Sequence, residues 1–368
     1  MSKTLVLILG MHRSGTSALA GSLALMGVHL GAQLVPPGPD NPKGFFEHDA
    51  IWRIHQNLLE QLGSDWHDIR PLPDGWLDSN EAEQARMEII RIIHKEFTTD
   101  TVWGLKDPRL SRTLPLWQPI FEALDIQPRI IRLLRHPQEV AASLVRRDHL
   151  GQAHALALWL RYTLDAENNS QPFLRSLVHY PDLLQDWRSI LARIHSDLGI
   201  LSDIEIQQQA HSMDAFLDQG LRHHHENSQQ GINNHLGQTC NQLYEYLLGQ
   251  YNGISDEHPS LAFFEESIPD IQALQEQIAH HLQQCQEQKK HIFFLKTQQE
   301  EAHQNESDPA NELQRVLDES QQNIRLLTQK LADRDQRLLD VYHSRSWRWT
   351  KKIRQLNVLI RTLMKQGV

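Results

Sequence analysis

The amino-acid sequence predicts an α/β protein in which a parallel sheet is flanked by helices on both faces and followed by a helical C-terminal extension. Three observations predict this fold class. Residues 4–9 form a continuous apolar run that ends at a glycine, which is typical of a strand buried on both faces. Further apolar runs alternate with helix-like patterns as far as about residue 200, as in a parallel sheet. Beyond residue 312, apolar residues recur at intervals of four and three, as in a coiled coil.

The first strand is followed directly by a loop and a helix. After Gly15, the stretch SALAGSLALMG has apolar residues at helical spacing and ends at Gly27, a residue type that commonly stops helices. A strand, a glycine-containing loop and a helix form the opening unit of a parallel α/β sheet. Further strands are predicted at residues 101–106, 129–135 and 174–180, and helices at residues 49–62, 81–97, 138–150, 154–168 and 183–198.

The chain divides into four segments. Its 368 residues exceed the roughly 150 residues of an average domain, so more than one folding unit is expected. We assign residues 1–250 to one α/β domain whose last part, from residue 204 onward, is helical. Residues 251–268 form a linker, residues 269–342 a helical coiled-coil segment, and residues 343–368 a basic amphipathic tail.

The coiled-coil segment is defined by positions that are spaced alternately four and three residues apart over four heptads. The positions are Leu313, Leu317, Ser320, Ile324, Leu327, Leu331, Arg334, Leu338 and Val341. Two of them, Ser320 and Arg334, are polar. A self-associating coiled coil predicts a homo-oligomer, and the alternative is a solvated helical hairpin that packs on its own chain.

The composition limits both the class of protein and its compartment. A formal net charge of −10 argues against a general nucleic-acid binder. The two cysteines, Cys240 and Cys285, are too few and too far apart for a disulfide framework or a cysteine-rich zinc site. The apolar run near the N-terminus is shorter than a signal-peptide core, and no other run reaches the length of a membrane span. We therefore expect a cytoplasmic protein.

The loop after the first strand, GMHRSGTS at residues 10–17, matches the nucleotide-triphosphate pattern GxxxxGK[ST] at Gly10, Gly15 and Ser17. Thr16 stands where that pattern has its phosphate-binding lysine. This loop makes the α/β domain P-loop-like. Three interpretations remain at this point: an altered ATP loop, a phosphate loop for another nucleotide, and an ordinary glycine turn.

The residues inside this loop favour anion binding over a purely structural turn. Backbone N–H groups of a tight loop at a helix N-terminus form a natural anion site. Ser14, Thr16 and Ser17 add small hydroxyl donors, and Arg13 supplies a cation. An ATPase or kinase also needs a strand-end aspartate for magnesium. Asp107 follows a predicted strand, so that alternative stays open, weakened by the missing lysine.

A second anchor lies in RLLRHPQEVAASL, residues 132–144. Arg135 follows a predicted buried strand, a His-Pro pair turns the chain, and Ser143 lies two turns into the next helix. Because parallel strands end at one edge of the sheet, Arg135 is expected on the same side as the glycine loop. Ser143 is then placed to donate a hydrogen bond to the anion that Arg135 binds. The alternative is an arginine that only forms a salt bridge at the strand end.

The two motifs together resemble the cofactor signatures of the sulfotransferases that use 3′-phosphoadenylyl sulfate (PAPS). In that family the first loop binds the 5′-phosphosulfate, which implies that role for Arg13, Ser14, Gly15, Thr16 and Ser17. The second motif binds the 3′-phosphate, which implies that role for Arg135 and Ser143. The resemblance covers roughly residues 1–250 and includes VHYPDLL at residues 178–184, although Pro181 replaces the acidic residue that is usual there.

The resemblance also implies residues for the chemical step. LKDPRL, residues 105–110, is similar to the K-D-P segment of protein-tyrosine and carbohydrate sulfotransferases, in which the lysine contacts the transferring sulfuryl group. This similarity implies that Lys106, with Arg13, stabilises the negative charge of the sulfuryl group. Sulfuryl transfer, like phosphoryl transfer, depends mainly on positioning and electrostatics, so no metal is expected as a cofactor.

A glutamate is the expected base. In related glycan- and tyrosine-directed sulfotransferases, a glutamate in a place comparable to Glu47 removes the proton of the acceptor. Two flanking phenylalanines are expected to desolvate Glu47 and raise its pKa. A glutamate that merely complements the dipole of the helix start is the alternative. His48 and His55 are the substitutes for this role.

Two polar segments lie outside these motifs, and the first of them suggests a partner. The tail HSRSWRWTKKIR, residues 343–354, combines two tryptophans with five cations and precedes an apolar run, which predicts a helix on the inner face of an anionic membrane. It also resembles a tail found on bacterial glycan-assembly enzymes, and packing on its own domain is the alternative. The three histidines at residues 223–225 have no acidic or cysteine partners nearby and are read as a solvated surface.

These observations predict a PAPS-dependent sulfotransferase that transfers a sulfuryl group to a hydroxyl, with a saccharide as the expected acceptor and no nucleic-acid partner. Two rivals remain. One is a nucleotide kinase or ATPase with the same fold. The other is a non-catalytic anion-binding scaffold that is assembled by the coiled coil.

Overall fold

The structure is a computed structural model that describes residues 3–38, 41–98, 100–201, 209–217 and 235–253, with residue 207 and isolated positions between 287 and 329. The tail and the three adjacent histidines lie outside the described residues. So do the predicted linker beyond residue 253 and all but isolated positions of the coiled-coil segment. Within the described residues, no helix combines the length and the apolar character needed to cross a membrane.

The core element is a sheet of four parallel strands in the order β2-β1-β3-β4. The strands are β1 (Lys3–Leu9), β2 (Val102–Lys106), β3 (Ile126–Leu134) and β4 (Leu174–His179). β1 is central, so that Leu7 lies opposite Leu105 of β2 on one side and opposite Ile130 of β3 on the other. The prediction of a parallel sheet with these four strands is confirmed.

Helices connect and cover the strands. The first half of the described chain contains α1 (Thr16–Leu25), α2 (Asp49–Gln61), α3 (Asn80–Glu96), α4 (Leu110–Thr113) and α5 (Gln118–Ala123). The second half contains α6 (Pro137–Asp148), α7 (Gln152–Ser170), α8 (Tyr180–Gln185), α9 (Trp187–Leu198), α10 (Ala210–Phe216) and α11 (His235–Tyr251). Two short 3-10 helices span Trp76–Asp78 and Leu114–Trp117.

The strands bury both faces, as their unbroken apolar runs predict. Successive side chains of a strand point to opposite faces. In β1, Leu5, Leu7 and Leu9 therefore pack with α2, α3 and α5 on one face, while Val6 and Ile8 pack with α1 and α9 on the other. α7 contributes to two apolar clusters. One is the cluster of the first face, with α2, α3 and α5, and the other is formed with α6 and α11. Helices thus cover both faces, and the predicted fold class is confirmed.

The main departures from the predicted elements occur where proline interrupts the periodicity. Residues 110–123 form α4, a 3-10 helix and α5, which the apolar pattern does not indicate because Pro115 and Pro119 divide the segment into very short pieces. The helix predicted at residues 183–198 is two helices. α8 begins at Tyr180 with Pro181 in its first turn, and Asp186 ends it and caps α9 through a hydrogen bond from the Ser189 N–H.

Candidate active site

The carboxyl ends of all four strands meet at one edge of the sheet, because the strands are parallel. Gly10 follows β1, Lys106 is the last residue of β2, Arg135 follows β3 and Tyr180 follows β4. A cavity of about 940 Å³ opens at this edge, and Lys106, Arg135 and Tyr180 all line it. The topology of the sheet thus brings Lys106 and Arg135, two of the predicted site residues, to one place.

The loop between β1 and α1 is held by contacts within the fold. The backbone N–H of Gly10 donates to Oγ of Ser111 at 3.0 Å, and Gly10 has a φ of +149° that favours glycine. The hydroxyl of Ser14 donates to the carbonyl oxygen of Met11 at 2.6 Å, and the Ser14 N–H donates to the same oxygen. Both donors of Ser14 are thus used inside the loop, and Ser14 is not among the described residues that line the cavity.

Gly15 allows the loop to lie close to Tyr180, the residue that directly follows β4. Its φ is +98°, and a Cβ atom on it would lie 2.1 Å from Cδ2 of Tyr180. No other residue type fits that contact without moving the tyrosine ring. The other predicted loop residues, Arg13, Thr16 and Ser17, line the cavity together with Gly15.

The two predicted signatures touch each other. The Nε of Arg13 donates to Oγ of Ser143 at 2.8 Å, although 130 positions separate these residues. The Nη1 of Arg135 donates to the carbonyl oxygen of Arg13 at 2.9 Å. Arg13 itself has a φ of +67°, a left-handed conformation that turns this carbonyl into the loop. The glycine loop and the Arg–Ser pair consequently form one structural unit.

Arg135 is oriented by its surroundings before any ligand arrives. Its Nε donates to Oε2 of Glu139 at 2.9 Å, and its guanidinium lies 4.9 Å from the centroid of the Tyr180 ring. The Nε1 of Trp159 donates to the carbonyl oxygen of Arg135 at 3.0 Å. These contacts leave the arginine buried at the cavity wall with its backbone and side chain both held.

Lys106 is saturated with acceptors. An ammonium group has three N–H donors, and Nζ of Lys106 lies 2.7 Å from Oε1 of Glu47, 3.0 Å from the carbonyl oxygen of Phe45 and 3.1 Å from Oγ of Ser17. Lys106 and Glu47 are both buried. Burial raises the pKa of Glu47 above its ordinary value, and the neighbouring Lys106 charge partly opposes that rise. Glu47 is therefore desolvated by its burial.

His48 and His55 lie elsewhere than at the cavity. His48 caps α2: its Nδ1 accepts from the Ile51 N–H, so Nε2 carries the proton that bonds Oε2 of Glu96 at 3.0 Å. His55 is fully buried between Asp107 and Trp117. Neither histidine is among the described lining residues. Both have structural partners that account for their positions, so the geometry gives no support to their predicted role as substitute bases.

Asp107 belongs to the same buried network. The indole N–H of Trp117 donates to Nε2 of His55, so that Nδ1 of His55 holds the proton and donates to Asp107 at 2.9 Å. The other carboxylate oxygen of Asp107 accepts from the backbone N–H and Nη1 of Arg109. Burial alone would raise the pKa of Asp107, but Arg109 and the His55 hydrogen bond hold it well below the usual value. This carboxylate is therefore engaged inside the fold.

The cavity contains functional side chains that the sequence reasoning missed. His12 lines it and lies inside the glycine motif, so the motif itself was the available signal. Arg109 also lines it and lies inside the LKDPRL segment, whereas Trp52, Trp66 and Arg147 come from segments with no motif of their own. The described lining residues include six cationic side chains but only two carboxylates, Glu47 and Asp148. The cavity consequently favours an anionic ligand.

No group of three or more histidine, cysteine, aspartate or glutamate side chains within the described residues is arranged to hold a metal ion. The polar groups that converge on the cavity are instead hydroxyls, backbone donors at the start of α1, and cations. This is the donor set that phosphate and sulfate esters use.

Comparison with known proteins gives matches only among solved structures. No protein-family model matches the chain, and no curated protein matches it significantly. The sulfotransferase domain of the olefin synthase of Synechococcus PCC 7002 is 17% identical over 70% of this chain and 96% of its own, with a TM-score of 0.44. A sulfotransferase domain from the curacin biosynthetic pathway is 15% identical over 73% and 98%, with a TM-score of 0.33. A sulfotransferase of Mycobacterium avium is 14% identical over 70% and 78%, with a TM-score of 0.41.

Proposed function

We propose that this protein is a sulfotransferase that transfers the sulfuryl group of PAPS to a hydroxyl of an acceptor, and that the acceptor is a saccharide. The observation that carries the proposal is the contact between the two signatures. Arg13 is bonded to Ser143, and Arg135 is bonded to the backbone of Arg13. A ligand that lies on the glycine loop then has Arg135 at a distance fixed by the fold, which suits a nucleotide with both a 5′-phosphosulfate and a 3′-phosphate. Ser143 is joined to this unit through Arg13 and is not among the described residues that line the cavity.

The residues present fit such a nucleotide. The 5′-phosphosulfate of the nucleotide would lie at Gly15, Thr16 and Ser17, where α1 begins and backbone N–H groups lack helical partners. Arg135 and Ser143 would hold the 3′-phosphate. The excess of cationic over acidic side chains in the cavity suits the several negative charges of PAPS.

The chain's own residues supply what the chemical step needs. In the step, the acceptor oxygen forms a bond to sulfur, the bond between sulfur and the bridging oxygen breaks, and 3′,5′-ADP leaves with that oxygen on its 5′-phosphate. Glu47 takes the proton of the acceptor hydroxyl. Lys106 exchanges one of its three present acceptors for a sulfuryl oxygen, and Lys106 and Arg13 together stabilise the negative charge on the oxygens around sulfur. The Glu47–Lys106 contact of 2.7 Å keeps the proposed base beside the ammonium group that is proposed to stabilise the sulfuryl oxygens.

The kinase or ATPase reading is less consistent with this site. It requires a loop lysine, which is Thr16 here, and an aspartate free to hold magnesium. Asp107, the strand-end aspartate, has both oxygens bonded to His55 and Arg109. A kinase would have to break this buried network in order to bind its metal.

Thermal-shift titration tests the proposal. The full-length protein is titrated with 3′,5′-ADP, 5′-AMP and ATP with magnesium, and bound ligand raises the unfolding temperature according to its affinity. We expect 3′,5′-ADP to stabilise the protein most, because only this ligand offers a 3′-phosphate to Arg135 and Ser143. Greater stabilisation by ATP with magnesium would contradict the proposal and favour the kinase.

A second measurement addresses the scaffold alternative. The protein is incubated with PAPS that carries radiolabelled sulfur and with a glycan extract, and label in the glycan fraction is counted. We expect incorporation that depends on the protein. Tight binding of 3′,5′-ADP without incorporation would indicate an anion-binding scaffold.

We further propose roles for two segments outside the described residues. The coiled-coil segment, residues 269–342, would assemble a homo-oligomer, and the tail, residues 343–368, would bind an anionic membrane surface. Light scattering of the full-length protein tests the first role. Sedimentation with phosphatidylglycerol vesicles, compared with phosphatidylcholine vesicles, tests the second, and equal sedimentation with both would contradict it.

A further inference from the structure

The segment at residues 66–70 is held in place by hydrogen bonds from side chains to its backbone. Its five consecutive carbonyl oxygens, at residues 66–70, each accept from a side chain of α4 or α7. The donors are Oη of Tyr162 to residue 66 at 2.6 Å, Nε2 of His154 to residue 67 at 2.7 Å, Nη1 of Arg112 to residue 68 at 2.8 Å, Nε of Arg161 to residue 69 at 3.1 Å, and Nη2 of Arg112 to residue 70.

These donors make the segment rigid. Tyr162, His154 and Arg112 are all buried, and burial lowers the pKa of His154 to about 4, so that this histidine stays neutral at neutral pH. Such buried donors are costly to leave without partners, so the segment cannot detach from α4 and α7 without losing several hydrogen bonds at once. A loop would normally be the most mobile part of a cavity wall, whereas this one is fixed.

The rigid segment presents one large side chain to the cavity. Trp66 is half-buried and lines the cavity, while its own carbonyl is held by Tyr162. The indole ring lies 5.6 Å from the guanidinium carbon of Arg147 and 4.7 Å, centroid to centroid, from the ring of His12. The fold thus places an aromatic surface on the cavity wall, beside His12 and Arg147, at a fixed position.

His12 provides a polar atom at the same end of the cavity. Its Nε2 is buried and has no hydrogen-bond partner within the described residues. A buried polar atom without a partner is costly, and its presence at a cavity wall points to a ligand that supplies the missing hydrogen bond. Burial, together with the positive charges of Arg109, Arg147 and Lys106, holds the pKa of His12 well below its ordinary value. The imidazole is therefore neutral and retains one donor and one acceptor nitrogen.

We propose that Trp66 and His12 form the acceptor subsite, in which a saccharide ring packs its C–H groups against the indole of Trp66 and bonds one hydroxyl to Nε2 of His12. This proposal rests on the proposed sulfotransferase function. A pyranose combines an apolar ring face with hydroxyls at its rim, and an indole beside an unsatisfied imidazole nitrogen is complementary to both features. A hydroxyacyl chain has a hydroxyl but no flat ring face, so it uses only half of this subsite.

The subsite also explains why the glycine loop has an imidazole at this position. His12 is next to Arg13 in the chain, and Arg13 belongs to the cofactor-binding unit. A hydroxyl that is held by His12 is thereby brought near the place where the sulfuryl group would lie. The acceptor is then positioned by the same loop that binds the donor.

Binding measured by NMR tests the subsite independently of turnover. Full-length protein labelled with ¹⁵N-tryptophan and ¹⁵N-histidine is saturated with 3′,5′-ADP and titrated with the methyl glycosides of glucose, galactose, mannose and glucuronic acid. The N-acetylcysteamine thioester of 3-hydroxybutyrate is the non-saccharide probe. Trp66→Phe and His12→Phe assign the two resonances. We expect at least one glycoside to shift both resonances and the thioester, which has a hydroxyl but no ring face, to leave the Trp66 resonance unshifted.

Variants separate a binding role from a structural one. Trp66→Ala is expected to weaken glycoside binding about tenfold or more, with Trp66→Tyr restoring most of it. His12→Phe keeps a ring beside Trp66 but removes the nitrogen, and should weaken glycoside binding while the affinity for 3′,5′-ADP stays unchanged. Trp76→Ala is the matched control, because Trp76 packs on the cluster of α2 and α3 away from the cavity.

The outcomes distinguish this inference from the proposed function. If the wild-type protein does not bind 3′,5′-ADP, the proposed function fails and the subsite fails with it. If 3′,5′-ADP binds but no glycoside shifts the Trp66 and His12 resonances, only the subsite is overturned. A shift caused by the hydroxyacyl thioester alone would likewise overturn it and indicate an acyl acceptor.

Discussion

The ammonium nitrogen of Lys106 lies 2.7 Å from a carboxylate oxygen of Glu47, and both side chains are nearly inaccessible to solvent. A buried ion pair is strongly coupled, since removal of one partner leaves the other charged and without compensation. In the proposed reaction these two groups have complementary tasks, because one accepts the proton of the acceptor and the other stabilises the sulfuryl oxygens. Any change to one is therefore expected to affect the other.

Replacement of Glu47 by glutamine should abolish most turnover and preserve cofactor binding. Loss of a general base typically lowers the rate about 10²–10⁴-fold, while glutamine keeps an oxygen for the Lys106 hydrogen bond. Sulfuryl transfer from PAPS and the dissociation constant of 3′,5′-ADP are measured in parallel. Glu60→Gln, on the exposed side of α2, is the matched control and should behave like the wild-type protein. Undiminished turnover of Glu47→Gln would show that another group removes the proton.

The pH dependence of turnover should have an acidic limb set by Glu47. Burial raises the pKa of this carboxyl above its ordinary value of 4.5, and only the deprotonated form accepts a proton. Turnover should therefore rise with pH through a midpoint above 4.5 and then level off. The residual turnover of Glu47→Gln should lack this limb. A limb at the same pH in that variant would assign it to a different group.

Ser143→Ala should weaken 3′,5′-ADP more than 5′-AMP. The substitution removes the acceptor of the Arg13 Nε hydrogen bond and the hydroxyl proposed to bind the 3′-phosphate. A charge-assisted contact contributes about 1.5–3 kcal/mol, which corresponds to roughly 10- to 100-fold in affinity. Isothermal titration calorimetry measures both ligands. Ser176→Ala is the control for simple loss of a buried hydroxyl, because Ser176 lies on β4 and its hydroxyl donates to Asp197 of α9. An equal loss for both nucleotides would contradict a role in reading the 3′-phosphate.

Gly15→Ala should destabilise the protein far more than Gly27→Ala. Both glycines have positive φ values, so each substitution carries a backbone cost of about 1–2 kcal/mol. A Cβ atom at Gly27 meets nothing within 4 Å, whereas one at Gly15 overlaps the Tyr180 ring and adds an overpacking cost of about 1–3 kcal/mol. Urea unfolding measures the difference. Equal destabilisation would mean that the Tyr180 ring moves aside freely.

Asp107 should make the protein sensitive to acid. Its pKa in the folded state is well below the ordinary value of 3.8, so the unfolded chain binds a proton at a higher pH than the folded one does. The stability that this group contributes is present above pH 3.8 and is lost as the pH falls below that value. Asp107→Asn should lose this part of the acid dependence and unfold more easily at neutral pH, because Arg109 loses its buried counter-charge. Identical acid-unfolding curves for the two proteins would contradict this assignment.

The fold was largely predictable because its signals are local. The apolar run of β1 and the glycine pattern after it identify a strand, a loop and a helix without reference to any other part of the chain. The short helices between Leu110 and Ala123 were not predictable in this way. Their prolines break the periodicity, and packing on α7 and β3 replaces local preference as the source of their stability.

Part of the site was predictable and part was not. Arg135 and Ser143 were expected beside the glycine loop, since parallel strands end at one edge, and the structure places them there. The spacing of histidines could not reveal that His48 caps a helix and that His55 bonds Asp107, because both depend on partners distant in sequence. Trp66 had no motif at all, and its place at the cavity results from donors on α4 and α7.

By itself, the sequence determined the order of strands and helices and the two anion-binding patterns, because these depend on residues that are neighbours in the chain. Only the tertiary structure decided which groups share the cavity. The Lys106–Glu47 pair joins residues 59 positions apart, and the Arg13–Ser143 bond joins residues 130 positions apart. The physical reason is the strand order β2-β1-β3-β4, which brings the ends of β1, β2 and β3 side by side and is set by packing over the whole sheet rather than by any local pattern.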